Sequence, residues 1–354
     1  MKAPAFWWRH EAGPFTHMLA PFAAAVDAVA VRRMARAPAG RLGVPVVCIG
    51  NPTVGGAGKT PIAIALAKAL AASGEQPAFL TRGYGGKAGG PRVVAPDDTA
   101  QDVGDEALLL AEHAPTVVCA DRVAGGRVAE GMASVIIMDD GFQNPSLDKD
   151  YSVLVIDSAA GIGNGRVTPA GPLRARLLPQ LERADAVLLV HGSEPHSARH
   201  DLAELCRGIA VFTVSMEVSA PVSLAGVRVL AFAGIGRPQK FFAGARALGA
   251  EVVDTVSLGD HAQMGERRAA ALMSRATDEG LTLLTTRKDE ARLRGGTPSE
   301  RALARQAVIV EVRAKLEPQF VEAVSACLTD ARARRASAGS STREEPRATA
   351  RRRV

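Results

Sequence analysis

The stretch Gly50-Asn51-Pro52-Thr53-Val54-Gly55-Gly56-Ala57-Gly58-Lys59-Thr60-Pro61 combines residue types that hold a phosphate. Glycines let consecutive backbone N–H groups turn toward one anion, and a helix beginning at the same point adds a partial positive charge. Thr53, Gly55, Gly56, Ala57, Gly58, Lys59 and Thr60 are therefore the nucleotide-binding candidates. Lys59 has the reach for the β- and γ-phosphates, and the Thr60 hydroxyl suits a magnesium ion. The usual pattern has a glycine five residues before Gly58, and here that position is Thr53. An ordinary glycine-rich turn would explain the glycines but not the lysine, the threonine and their flanking elements.

Phosphoryl transfer also needs an acid behind the metal. Asp139 follows the apolar run Val135-Ile136-Ile137-Met138 and is placed for that role, with Asp140 beside it. A plain Asp-Asp-Gly strand-end turn is the alternative. If the phosphate goes to an alcohol and not to water, a base is wanted. Asp105, in Gly104-Asp105-Glu106, is one candidate, although the same position suits a helix cap. His261, in Gly259-Asp260-His261, is another, although it is one of seven histidines and spacing alone does not separate catalytic from structural.

The elements around these residues read as an α/β fold. Val44–Ile49, Pro77–Thr81, Thr116–Ala120, Ser134–Met138, Val153–Asp157 and Ala186–Val190 are short, continuous apolar runs, the pattern of parallel strands buried on both faces. Ligands of such sheets lie beyond the carboxyl ends of the strands, where every polar motif above falls. The expected architecture is a P-loop NTPase-like, mostly parallel sheet flanked by helices, with a second, smaller α/β domain. Its boundaries are 36–220 for the P-loop domain and 221–330 for the smaller domain that closes the site.

The chain has 354 residues, 47% hydrophobic and 23% charged, within reach of a two-domain globular protein. Eight arginines and two glutamates after Asp330 account for the whole formal charge of +6, so the basic character belongs to residues 331–354, read as a disordered tail. Four scattered cysteines form no CxxC pair, which excludes a zinc framework and suits a reducing compartment. Residues 1–35 hold both tryptophans, Trp7 and Trp8, followed by Phe15, Met18, Leu19, Phe22, Val26 and Val29 at helical spacing. Pro21 and Asp27 argue against a bilayer span, and export would separate the P-loop from cytosolic ATP. A core-packed helix and an interfacial helix, with the tryptophans at headgroup level and Arg32, Arg33 and Arg36 near anionic lipid, both remain open.

Taken together, these stretches resemble the tetraacyldisaccharide 4'-kinase family, the lipid A kinases. The resemblance rests on Gly50 to Pro61, Arg82-Gly83-Tyr84-Gly85, Gly104-Asp105-Glu106, Asp121-Arg122 and Asp139 to Gln143. It continues through Gly171-Pro172-Leu173-Arg174, Ala231 to Gly236, Asp260-His261, and Thr285-Thr286 with Lys288-Asp289. It runs from about residue 40 to 315, and Thr53 becomes a family mark. The resemblance implies transfer of the γ-phosphate of ATP, with Mg²⁺, to the 4'-hydroxyl of a lipid A disaccharide 1-phosphate, giving lipid IVA. It implies a peripheral enzyme on the cytoplasmic face of the inner membrane, bound to that anionic surface through its N-terminal helix, with no nucleic-acid partner. It implies that Asp105 and His261 cooperate in deprotonating the sugar hydroxyl. Lys59 and Thr60 serve the phosphates, and Thr60, Asp139 and Glu106 the metal. Arg82, Arg122 and Arg174 are left for the phosphates of acceptor and nucleotide.

Three positions depart from the family pattern: Asn144 after Gln143, Ala262 and Gln263 after His261, and Arg287 before Lys288. They touch acceptor contacts and no core catalytic position. The rival readings are a P-loop ATPase or GTPase switch that binds a protein partner, and a nucleic-acid binder using the tail. On the kinase reading, removing residues 331–354 leaves activity largely intact.

Overall fold

In a computed structural model, which describes residues 4–9, 13–191, 202–259 and 262–341, twelve strands form one sheet. They are β1 (Val46–Gly50), β2 (Pro77–Thr81), β3 (Arg92–Val93), β4 (Thr116–Val118), β5 (Val135–Asp139) and β6 (Tyr151–Asp157). β7 (Ala186–His191), β8 (Ala210–Ser219), β9 (Arg228–Ala233), β10 (Glu251–Ser257), β11 (Thr282–Thr286) and β12 (Val308–Leu316) complete it. The order is β10-β9-β11-β12-β8-β7-β6-β1-β5-β2-β4-β3. Pairing is parallel except at β8–β12 and β3–β4.

The parallel centre follows from the apolar runs. Val46 and Cys48 of β1 turn to one core, with Leu80, Ile136, Met138 and Leu154. Val47 and Ile49 turn to the other, under Ile62, Leu66 and Leu70 of the helix Lys59–Ala72. All five residues of β1, and likewise of β2 and β5, are buried. Both faces must therefore be covered, and helices do this.

Two features differ from the expected layout. β8 joins the two parts of the sheet by its antiparallel ladder with β12, Glu311 to Leu316 against Ser219 to Val214. It is an alternating strand, with Phe212 and Val214 turned into the core beneath the P-loop helix. The second difference is the carboxyl-terminal helix, which runs from Pro318 to Ser341, beyond the boundary expected at residue 331. Ala331 is fully buried, Arg332 pairs with Glu75, and Arg335 pairs with Asp150 and donates to the carbonyls of Leu42 and Val44. These arginines fasten a helix to the fold, so residues 331–341 are not a disordered segment. Residues 342–354 lie outside the described residues.

The N-terminal helix Pro14–Met34 lies along the first core. Thr16, Ala23, Asp27 and Met34 are its buried residues, and Asp27 accepts from Arg176 N at 2.7 Å and pairs with the Arg176 side chain. Before it, Trp7 is buried, its indole N–H donating to Pro169 O at 2.9 Å. Trp8 lies under the Arg237 guanidinium, 4.9 Å from the ring centroid. Trp7 is thus packed into the protein and not at headgroup level, whereas Trp8 remains half-buried.

Candidate active site

The carboxyl end of β1 opens into the glycine-rich loop. Gly55 and Gly58 have φ of 113° and 84°, a backbone region that residues with a Cβ avoid. At Gly58 a Cβ would also lie 2.5 Å from Met216 Cε of β8, the movable end of a flexible side chain, so the backbone conformation is what calls for glycine there. The loop is pinned from outside. Val54 N donates to Pro172 O at 2.7 Å, Arg174 N to Pro52 O at 2.8 Å, and Gln143 Nε2 to Asn51 O at 3.0 Å. From inside, buried Asn51 donates to Thr53 O and Gly55 O. Thr53 is itself buried, bridged to Leu173.

Lys59 opens the helix, and its Nζ donates to Asn51 Oδ1 at 2.9 Å and lies 3.6 Å from Asp140 Oδ1. Thr60 donates its hydroxyl to Asp139 Oδ2 at 3.2 Å. The other oxygen, Asp139 Oδ1, is buried and has no hydrogen-bond partner among the described residues. Burial first, and then the Glu106 carboxylate, push Asp139 up to about 7. Asp140, in the left-handed region at φ 53°, pairs with both guanidinium nitrogens of Arg174, at 3.0 and 3.1 Å. Burial pushes its carboxyl up, but Lys59 and Arg174 outweigh it and hold the group below the usual carboxylate range.

Asp105 begins the helix Asp105–Ala111 and is 3% exposed. Its placement comes from a backbone clasp: Gly104 has φ 89°, and a Cβ there would meet Tyr84 O at 2.6 Å. The Arg82-Gly83-Tyr84-Gly85 loop packs directly on Val103 and Gly104. Asp105 Oδ2 lies 3.0 Å from Arg292 Nε, and Glu106 Oε1 lies 2.5 Å from Lys288 Nζ. Both cations come from the helix Arg287–Arg294 after β11. Asp289 on the same helix accepts from Gly234 N at 2.8 Å and from the Thr286 hydroxyl. Burial raises its carboxyl despite Arg292. A cavity of about 100 Å³ is lined by Asp105, Tyr84, Asp289, Arg292, Ala262 and Gln263, among others.

The seven P-loop candidates and Asp139 therefore meet at one point, with Glu106 close enough to act on Asp139 electrostatically. His261 and Asp260 lie outside the described residues. The three arginines separate. Arg174 holds the P-loop, donating also to Thr53 O at 3.2 Å. Arg122 is 2% exposed and donates to Cys119 O. Arg82 is exposed at the carboxyl end of β2. Asn144 serves a local turn, accepting from Ser146 N at 2.8 Å. Lys288 and Arg292 were not among the expected site residues. The signal available was the run Arg287-Lys288-Asp289-Glu290 at a strand end, which looks like a solvated helix start.

A divalent cation fits this donor set. Asp139 Oδ1 is an orphaned buried oxygen, the Thr60 hydroxyl is adjacent, and all donors are hard oxygens. No group of three His, Cys, Asp or Glu side chains gathers as a metal cluster among the described residues. Mg²⁺ does not require one, since it takes one or two carboxylates plus phosphate oxygens.

The chain is similar along most of its length to proteins of known family. The family model for tetraacyldisaccharide-1-P 4'-kinase matches residues 15–329. The chain is 50% identical over 299 residues to the tetraacyldisaccharide 4'-kinase of Xanthobacter autotrophicus, covering 83% of this chain and 87% of the relative. The tetraacyldisaccharide 4'-kinase of Nitrobacter hamburgensis is 50% identical over 300 residues, covering 83% and 88%. Among solved structures, LpxK from Aquifex aeolicus in complex with ATP superposes with a TM-score of 0.67 at 26% identity, covering 89% of this chain and 99% of that one.

Proposed function

The chain belongs to the tetraacyldisaccharide-1-P 4'-kinase family, an ATP-binding transferase of lipid A biosynthesis, and from that premise we propose which of its residues perform the transfer. The acceptor is the 4'-hydroxyl of tetraacyldisaccharide 1-phosphate and the product lipid IVA. The loop from Thr53 to Gly58 cradles the triphosphate with backbone N–H groups, and Lys59 leaves Asn51 Oδ1 for the β- and γ-phosphates. Thr60, Asp139 and Glu106 would hold Mg²⁺, which supplies charge neutralisation to the phosphates.

Asp105 takes the proton of the 4'-hydroxyl. The observation that carries this is its position: a buried carboxylate, fixed by Arg292, at the wall of a cavity and next in the chain to Glu106, which acts on Asp139 of the phosphate cradle. His261 is its partner in this reading, supported by Ala262, the next residue in the chain, which lines the same cavity. Arg82, exposed at the carboxyl end of β2, takes the acceptor's phosphate.

The enzyme works at the cytoplasmic face of the inner membrane as a peripheral protein. The helix Pro14–Met34 is long and apolar enough to cross a bilayer. Its Thr16, Ala23, Asp27 and Met34 are nevertheless buried against the protein, leaving Phe15, Met18, Phe22, Val26 and Val29 exposed along one stripe. A helix half committed to its own protein lies in the interface. Arg32, Arg33 and Arg36, all exposed, continue it toward anionic headgroups.

Purified protein with ATP, Mg²⁺ and the disaccharide 1-phosphate should yield a lipid heavier by one phosphate, with ADP release dependent on acceptor. Full nucleotide turnover without acceptor, and no phosphorylated lipid, would instead support an ATPase.

A further inference from the structure

The helix Arg287–Arg294 and the helix Asp105–Ala111 meet through a ladder of ion pairs. Lys288 pairs with Glu106 at 2.5 Å, Arg292 with Asp105 at 3.0 Å, and Arg287 with Glu112 at 2.7 Å. The two helices belong to distant parts of the sheet, with six strands between β11 and β2. Most of this ladder is explained by docking. Lys288 is different, because its partner is a residue of the metal site. Its ammonium also feels Asp105 and Asp139.

The charges around the cradle show what this cation is for. Asp140 has two cations, Lys59 and Arg174, and Asp105 has Arg292. Glu106 has Lys288 alone among the described residues, and the Lys288 side chain is partly exposed, at 29%. When Glu106 turns to a metal, Lys288 loses its carboxylate at the place where the γ-phosphate arrives. A lysine is a flexible point charge, suited to exchanging one anion for another, whereas the forked Arg292 is suited to holding one.

We propose that Lys288 is a further catalytic residue, a cation delivered from the β11 side of the cleft that exchanges Glu106 for the γ-phosphoryl group of bound ATP. It then stabilises the charge on the equatorial oxygens during transfer. Because it is carried on the ladder, the site is complete only when the two helices are docked. The inference rests on reading this site as a γ-phosphoryl transferase.

Equilibrium binding of ATP and ADP with Mg²⁺ and without acceptor tests it without turnover. Wild-type protein should bind ATP more tightly than ADP, and K288M should lose that preference by about tenfold, the scale of a hydrogen bond to a charged group. K288R should keep most of it. With Mg²⁺ and acceptor, kcat of K288M should fall by ~10²-fold. The double variant K288M/E106Q separates the roles. If Lys288 only neutralised Glu106, that variant would recover the ATP preference, and recovery overturns the proposal. An unchanged preference in folded K288M, with kcat within about twofold of wild type, also overturns it. Failure of wild-type protein to phosphorylate the acceptor would strike the transferase reading itself, not this assignment.

Discussion

Arg292 Nε lies 3.0 Å from Asp105 Oδ2, so the residue proposed as base is oriented by a cation from the other end of the chain. A base works only if its oxygen is held toward the proton it takes. Asp105→Ala should therefore lower kcat by about 10²-fold or more, the scale of general base catalysis. Arg292→Met should lower kcat by about tenfold and leave KM for ATP nearly unchanged, since Arg292 touches Asp105 and not the P-loop. Steady-state kinetics with both substrates varied checks this. Wild-type turnover in Asp105→Ala would remove the assignment.

Asp139 makes the metal-free protein sensitive to pH. Burial and Glu106 raise its carboxyl from 3.8 to about 7. Between those values the native state holds a proton that the unfolded chain has released, so stability falls as pH rises through this window and levels off above it. Each unit of raised pKa corresponds to about 1.4 kcal/mol, and Glu106 shares the effect. Asp139→Asn should thus raise the metal-free melting temperature above about pH 7 and change it little below about pH 4. Magnesium should reverse the order, stabilising wild type and not the variant. Equal melting curves at all pH values would contradict the assignment.

The parallel half of the sheet was legible because its strands are short apolar runs, and the cradle because Gly58-Lys59-Thr60 follows one of them. β8 was missed for a specific reason. Phe212, Val214, Met216 and Val218 alternate with Thr213, Ser215, Glu217 and Ser219, the signature of a half-buried strand in a chain read for fully buried ones. Lys288 and Arg292 were unreadable as site residues because their partners, Glu106 and Asp105, are distant in sequence. Arg332 and Arg335 were hidden by composition: an Arg, Ala and Ser segment looks like tail until Glu75 and Asp150 give the guanidinium groups partners.

The exposed stripe of the N-terminal helix predicts membrane affinity that can be removed without disturbing the fold. Phe15, Met18 and Phe22 are each more than 60% exposed and contribute nothing to the core. Replacing all three by Ser removes three large apolar side chains from the interface, each worth about 1.5–3 kcal/mol when fully buried. Partition onto vesicles of anionic lipid should weaken by about tenfold or more, with an unchanged melting temperature. Sedimentation at wild-type level would locate the membrane contact elsewhere.

The last helix should matter up to Ser341 and not beyond. Arg335 presents two nitrogens to Asp150, at 2.9 and 2.7 Å, and Asp150 also accepts from Val46 N at 2.9 Å, the first residue of the strand that feeds the P-loop. The Asp150 side chain is 4% exposed. Arg335→Ala would leave that carboxylate buried with less compensation, and breaking a buried pair costs about 3–5 kcal/mol. Truncation after Asp330 removes Arg332, Arg335 and buried Ala331 together and should be at least as destabilising, contrary to the expectation that residues 331–354 are dispensable. Truncation after Ser341 should leave both stability and turnover near wild type. Denaturant midpoints at constant m-value check this, and adding Asp150→Asn to Arg335→Ala should recover part of the loss. A cost below about 1 kcal/mol for Arg335→Ala would show that the pair is a surface contact of the ordinary kind, without a part in holding β1.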